Sequence, residues 1–216
     1  PAENDYIDGV FIPRASKKQI VSTTGVTISD APTGAATGSW DYIRNGASQG
    51  ATSNIINGID YGKSPNWLLG VHANKGFTVD LDAIRKIHQF ESGAFKTVIG
   101  HGGAIDMSTI DVSIYLDGEP RFRQLGFKAQ QPGPELTIPF SKNNRFLTIL
   151  VTEGKDGNSH DQGILGNPQI ALSGDQHFHK QLELRTSRIV AEIKTLRREV
   201  ASLIDPNNDE LAQILL

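Results

Sequence analysis

The chain has 216 residues, 38% of them hydrophobic, a formal net charge of −3 and a sequence pI near 6.1. That length supports one domain with a sizeable buried core plus an extension, and the charge balance excludes the basic, aromatic-interleaved face of a nucleic-acid binder. Cysteine is absent, which excludes disulfides, thiolate metal sites and a Cys nucleophile, and no apolar run of about 18 residues offers a membrane span.

The chain opens at Pro1 with a polar segment and no signal peptide, and reads as a piece processed or excised from a longer protein. Residues 1–175 hold nearly all the Gly and Pro, in short apolar runs separated by turn signals, the pattern of an all-β sandwich or barrel. Expected strands in its first part are Gly9–Ile12 and Gln19–Ile28. The stretch 29–66 is rich in Gly, Ser, Asn and Thr and reads as irregular, with Trp40, Tyr42 and Ile43 as anchors. Further strands are expected at Gly76–Leu81, Lys86–Phe90, Lys96–Ile99, Ile110–Leu116, Pro120–Gly126, Leu136–Phe140, Arg145–Thr152 and Pro168–Leu172. The clearest pair is Ile110–Leu116 and its successor, joined by Asp117-Gly118, a hairpin signal.

Three stretches carry polar groups of interest. In "LLGVHANKGFTVDLDAI", residues 68–84, His72 and Asn74 stand just before the alternating Phe77, Val79 and Leu81. The alternation at Leu69 and Val71 turns His72 away from the core. An imidazole and an amide there match sugar hydroxyls, so His72 is expected to face a ligand or organise its site. The rival is a structural histidine serving a loop carbonyl. In "GHGG", 100–103, the glycines permit a tight loop and His101 reads as an exposed loop residue, with no nucleophile elbow to make an esterase. In "TEGKDGNSHDQG", 152–163, Asp156, Asn158, His160 and Asp161 crowd one loop. An EF-hand is excluded because the flanking helices and closing Glu are missing. A structural calcium held by carboxylates and carbonyls, or a plain Gly/Asn/Asp turn, both satisfy the loop; no cofactor is required.

From about Asp175 the pattern changes. Leu182, Ile189, Leu196 and Leu203 recur every seven residues, with Thr186, Ile193 and Val200 between them. That is a heptad seam on a long helix, expected from His177 to Ile204 and stopped by Pro206. Six Lys and Arg against three Glu leave this segment at +3, too little to argue for a membrane surface. The seam is expected to be buried, on the sandwich or against a second copy in a homodimer. The chain thus divides into 1–175, a sandwich, and 176–216, a heptad helix and tail.

Four segments, "LLGVHANKGFTVDLDAI", "FKTVIGHGGAIDMSTIDVSIYLDGE", "RFLTILVTEGKDGNSHDQG" and "GNPQIAL", together resemble the NPCBM family, also called carbohydrate-binding module 51, over about residues 66–172. The resemblance implies a galactose-binding-domain-like β-sandwich, or jelly roll. It implies a non-catalytic module, secreted or otherwise extracytoplasmic, attached to neighbouring domains and binding a galactose-type or other polysaccharide glycan. "YIDGVFIP", "SWDYIRNG" and the heptad tail resemble the flanks of such modules in large planctomycete-type secreted proteins. The ligand residues it suggests are His72, Asn74, Asp156, His160 and Asp161, with Trp67 stacking on a sugar ring. In the family the late loop continues as Asp-His-x-x-Trp. Here Ser159-His160-Asp161-Gln162-Gly163-Ile164-Leu165 places the His first and has no Trp. The alternative function is a structural or interaction domain that has lost its sugar and joins neighbours or a second copy through the helix.

Overall fold

In the computed structural model, residues 6–13, 18–31, 42–46, 53–104, 108–154, 156–173 and 176–203 are described. Two compact units divide the chain, Pro1–Gly174 and Asp175–Leu216.

The first unit is a β-sandwich. One sheet places β1 (Ile7–Phe11), β8 (Lys75–Asp80), β13 (Phe146–Glu153), β10 (Thr109–Leu116) and β11 (Glu119–Lys128) side by side. The other runs β12 (Glu135–Ser141), β9 (Ser92–His101), β14 (Gln162–Ser173), β7 (Leu68–His72) and β4 (Ile43–Asn45). Every neighbouring pair is antiparallel. Two small hairpins, β2 (Gln19–Ile20) with β3 (Thr27–Ile28) and β5 (Ile55–Ile56) with β6 (Ile59–Asp60), complete it. Asp117 and Gly118 both take positive φ, at 53° and 88°, as a two-residue hairpin turn of primed type requires.

Alternation explains the core. Ile110, Val112, Ile114 and Leu116 of β10 meet Leu147, Ile149 and Val151 of β13 between the sheets, with Val71, Ile99 and Leu165 opposite. The other faces are covered too. Tyr115 and Leu150 pack with Val21, Ile28 and Ala31 on one side. Leu68 and Ile164 pack with Ile56 and Tyr61 on the other. A strand buried on both faces reads as a nearly continuous apolar run, which is how "FLTILV" is written, with Thr148 its one polar residue.

One expected strand is a helix. Instead of a strand at Lys86–Phe90, α1 spans Leu81–His88. Asp80 caps it, accepting hydrogen bonds from the backbone N–H groups of Asp82 and Ala83, and Gln89 closes it in the left-handed region at φ 50°. Leu81 and Ile84, three positions apart, share the buried face. Within 29–66, the described residues form the short strands β4, β5 and β6; Trp40 lies outside the described residues.

The second unit holds α2, Gln176–Leu203. Along this helix Leu182, Ile189, Ile193, Leu196 and Val200 are 43–58% exposed. No helix among the described residues is long and apolar enough to cross a membrane.

Candidate functional site

Strand β7 carries His72 to one end of the sandwich, and two residues, Ala73 and Asn74, cross to the other sheet, where β8 begins. The β9–β10, β11–β12 and β13–β14 connections gather at that same end, as the pairings of Gly163 with His101, Thr109 with Lys128 and Ile110 with Glu153 require.

Asn74 is the hinge of this crossing. It takes φ 62°, a left-handed position that Asn tolerates. It is fully buried, its Nδ2 donating to Glu153 Oε2 at 3.0 Å and its Oδ1 accepting from the Glu153 N–H at 3.1 Å. The Ala73 N–H donates to the Asp161 carbonyl at 2.8 Å. The turn is therefore stitched to both ends of the β13–β14 loop.

His72 lies 4% exposed. Its N–H donates to the Tyr42 carbonyl at 2.9 Å, and the Tyr42 ring meets its imidazole edge-on, centroids 5.8 Å apart. Both His72 and Asn74, the two residues expected to face a ligand or organise its site, are buried in the chain. Alternation does turn His72 off the main core, but the outer face it turns to is itself covered.

Asp161 is fully buried, and among the described residues neither of its carboxylate oxygens has a hydrogen-bond partner. It shares the parity of Gly163 and Leu165, which face between the sheets. Burial first, then the charges of Asp156, Glu153 and Asp111, push its carboxyl up to about 8. Its surroundings therefore favour the neutral, protonated form of the acid. Leu165, four positions on, where the family motif has its Trp, is 1% exposed in the core.

His101 is buried rather than exposed, at 2%. Its Nδ1 accepts from the Gly103 N–H at 3.0 Å, which assigns the proton to Nε2. Nε2 then donates to Ser108 Oγ at 3.1 Å, and Ser108 donates to the His160 carbonyl at 3.2 Å. Burial lowers the imidazole pKa to about 4. A Ser–His pair of this geometry is no catalytic dyad, because the only basic nitrogen is occupied by an amide and cannot take the hydroxyl proton. Gly103 is required: a Cβ there would lie 2.0 Å from the His160 carbonyl oxygen. The sequence reading missed Ser108, whose role depends on partners from distant strands.

Two of the expected residues are exposed at this end. Asp156 accepts from the Thr109 hydroxyl at 2.9 Å, and His160 sits at φ 64° beside the buried Asp161. His160 and His72 stand at the same end, two register positions apart across the ladder that pairs Gln162 with His72, one outside and one inside. Trp67 is elsewhere. It precedes β7 at the opposite end, roughly 16 Å away along an extended strand. There it is 49% exposed and donates from Nε1 to the Pro168 carbonyl. The structure does not bring it to the other five.

Beside this loop cluster is a cavity of about 290 Å³ that the sequence did not reveal. Ser53, Asn57, Gln130, Gln131 and Pro132 wall it, with Gly100 and His101 beneath. Asn57 is locked to Gly133 by two hydrogen bonds, 2.8 and 2.9 Å, which hold the β5–β6 hairpin over the edge of β9. The turn dipeptides Asn57-Gly58 and Pro132-Gly133 are the sequence signals that mark it. Among the described residues no group of three or more His, Asp or Glu is placed to hold a metal ion.

Two antiparallel sheets with connections gathered into a polar cluster at one end define a β-sandwich. The chain belongs to the NPCBM/NEW2 domain family, whose model matches residues 24–171. Solved structures similar to it include a CBM51 module of Clostridium perfringens GH95 in complex with methyl-galactose. The identity is 18% and the TM-score 0.47, over 76% of this chain and 94% of that one. The tandem CBM51 modules of Sp3GH98, a family 98 glycoside hydrolase of Streptococcus pneumoniae, match at 13% identity and TM-score 0.48, over 65% of this chain and 43% of theirs. The CBM51-2 and INT domains of Clostridium perfringens ZmpB, with GlcNAc, match at 15% and 0.47, over 77% and 40%. The chain thus spans less than half of these last two. No curated protein matches it.

Proposed function

We propose that this chain is a non-catalytic carbohydrate-binding module of a larger extracytoplasmic protein, taking one sugar unit of a galactose-type or related glycan in the cavity beside its strand-end loops. The observation that carries the reading is the cavity's size and lining. About 290 Å³ stands near the lower end of small-ligand sites, about 300 Å³. Gln130 and Gln131 bring amides, each both donor and acceptor, and Ser53 a hydroxyl, a set suited to vicinal hydroxyls. Membership of the NPCBM/NEW2 family supports it. Exposed Asp156 and His160 stand at the same end and are the remaining ligand candidates from the sequence. His72, Asn74 and Asp161 serve as the frame.

A glycan array with the intact chain identifies the sugar, and calorimetry with Gln130→Ala/Gln131→Ala locates it. The expected result is binding lost with the fold retained. An array without any hit, or affinity indifferent to the double substitution, overturns the reading. The exposed helix seam favours a second role, in association.

A further inference from the structure

We propose that α2 pairs with α2 of a second copy of this chain as a parallel, two-stranded coiled coil, carrying two sandwiches on one stalk. The apolar stripe of α2 is half exposed along its length: Leu182 49%, Ile189 47%, Ile193 46%, Leu196 58% and Val200 43%. A 28-residue helix with such a stripe in water draws little stability from its own residues, since helices are held chiefly by packing an apolar face.

Three features say what covers it. The first is the choice of residue at each seam position. Assigned to a heptad, Leu182, Ile189, Leu196 and Leu203 fall at d, and Thr186, Ile193 and Val200 at a. All three a residues are β-branched and three of the four d residues are Leu, the selection that favours two strands in a parallel coiled coil. The second is the polar step at Thr186. In a parallel, in-register pair a residues meet a residues, so Thr186 faces its own copy and the two hydroxyls share a layer. Turned antiparallel, each would face a d-position aliphatic.

The third is charge. Glu192 falls at g and Arg197 at the e position of the following heptad, the two positions that meet across a parallel interface. Two-fold symmetry makes this attraction twice. The other facing pairs, Phe178 with Glu183, Arg185 with Val190 and Glu199 with Ile204, oppose no like charges. In the single chain Glu192 Oε1 is 3.3 Å from Arg188 Nε of its own helix, which leaves Oε2 to reach the partner. A hydrophobic seam with matched flanks of this kind fits a second copy of itself better than any partner of one charge. The pairing does not depend on sugar binding. If the module binds a glycan, two copies held together engage a repeating surface with avidity.

The test uses the intact chain, which has no cysteine of its own. Sedimentation equilibrium should show a concentration-dependent dimer, and Ile193→Lys should make it a monomer while the sandwich melts unchanged. Val200→Cys should cross-link to itself under mild oxidation, whereas Ser187→Cys, at an outward b position, should not. Mixing Glu192→Arg with Arg197→Glu should give a heterodimer tighter than either homodimer. A monomer at all concentrations, a trimer, or a dimer indifferent to Ile193→Lys overturns the proposal. A dimer in which Val200→Cys fails to cross-link overturns its parallel alignment.

Discussion

Asn74 and Glu153, 79 positions apart, exchange two hydrogen bonds, Nδ2 to Oε2 at 3.0 Å and backbone N–H to Oδ1 at 3.1 Å. This contact joins the crossing between the sheets to the end of a central strand and holds the turn.

Asn74→Ala should therefore destabilise the sandwich by about 1–3 kcal/mol, because it strands the Glu153 N–H and loses a residue suited to φ 62°. Asn74→Gly should recover only the backbone part. Urea denaturation of the two variants separates the contributions: equal losses would show that the left-handed backbone contributes nothing, and a Gly variant as stable as the native chain would show that the side-chain bonds contribute nothing.

His101 sets an acid limit. Its folded pKa of about 4 lies below the ordinary 6.5, so the unfolded chain takes up a proton first. The stability it contributes is complete above pH 6.5 and is lost as pH falls toward 4. Because Asp161 pulls the other way over the same range, the readout is the difference: from pH 6.5 down to 4 the native chain should lose stability relative to His101→Gln. That variant should also lose stability at pH 7, since Gly103 N–H and Ser108 are left with poorer partners.

Asp161 acts in the opposite sense. A carboxyl raised from 3.8 to about 8 is protonated in the fold where the unfolded chain is ionised. Its contribution is complete below pH 4 and is lost as pH rises to 8. Asp161→Asn, nearly isosteric with the protonated acid, should remove that slope and stabilise the chain above pH 8. A slope unchanged in the variant would assign it to other groups.

Trp67→Ala should leave glycan affinity unchanged, because Trp67 lies at the far end of β7 from the cavity. Tryptophan fluorescence gives a second readout: the ligand should not shift the Trp67 signal. A binding loss on this substitution alone would move the sugar site to the other end of the sandwich.

What the sequence determined by itself was periodicity and its local consequences. Ile110, Val112, Ile114 and Leu116 could alternate only as a strand, and Asp117-Gly118 could only turn it, because backbone geometry couples side-chain direction to position. The same logic separated the heptads of α2 from the strands before them. It failed at α1, where Leu81 and Ile84 are a helical pair. Their cap, Asp80, is also the last residue of a strand, so two periods overlap. The parity of His72 was legible as well: it does point away from the cluster that holds Val71. Its burial was not, since that depends on Tyr42 and on the second apolar layer of Ile56, Tyr61, Leu68 and Ile164 laid over the outer face. Alternation states which side a residue takes and nothing about what arrives there from elsewhere in the chain. The cavity under Gln130 and Gln131, the buried acid at Asp161 and the His101–Ser108–His160 chain are of that second kind. Each is made by segments distant in sequence that only antiparallel pairing of the strands brings to one end. Burial, pKa and hydrogen-bond partners are properties of that meeting, and so they were decided by the tertiary structure alone.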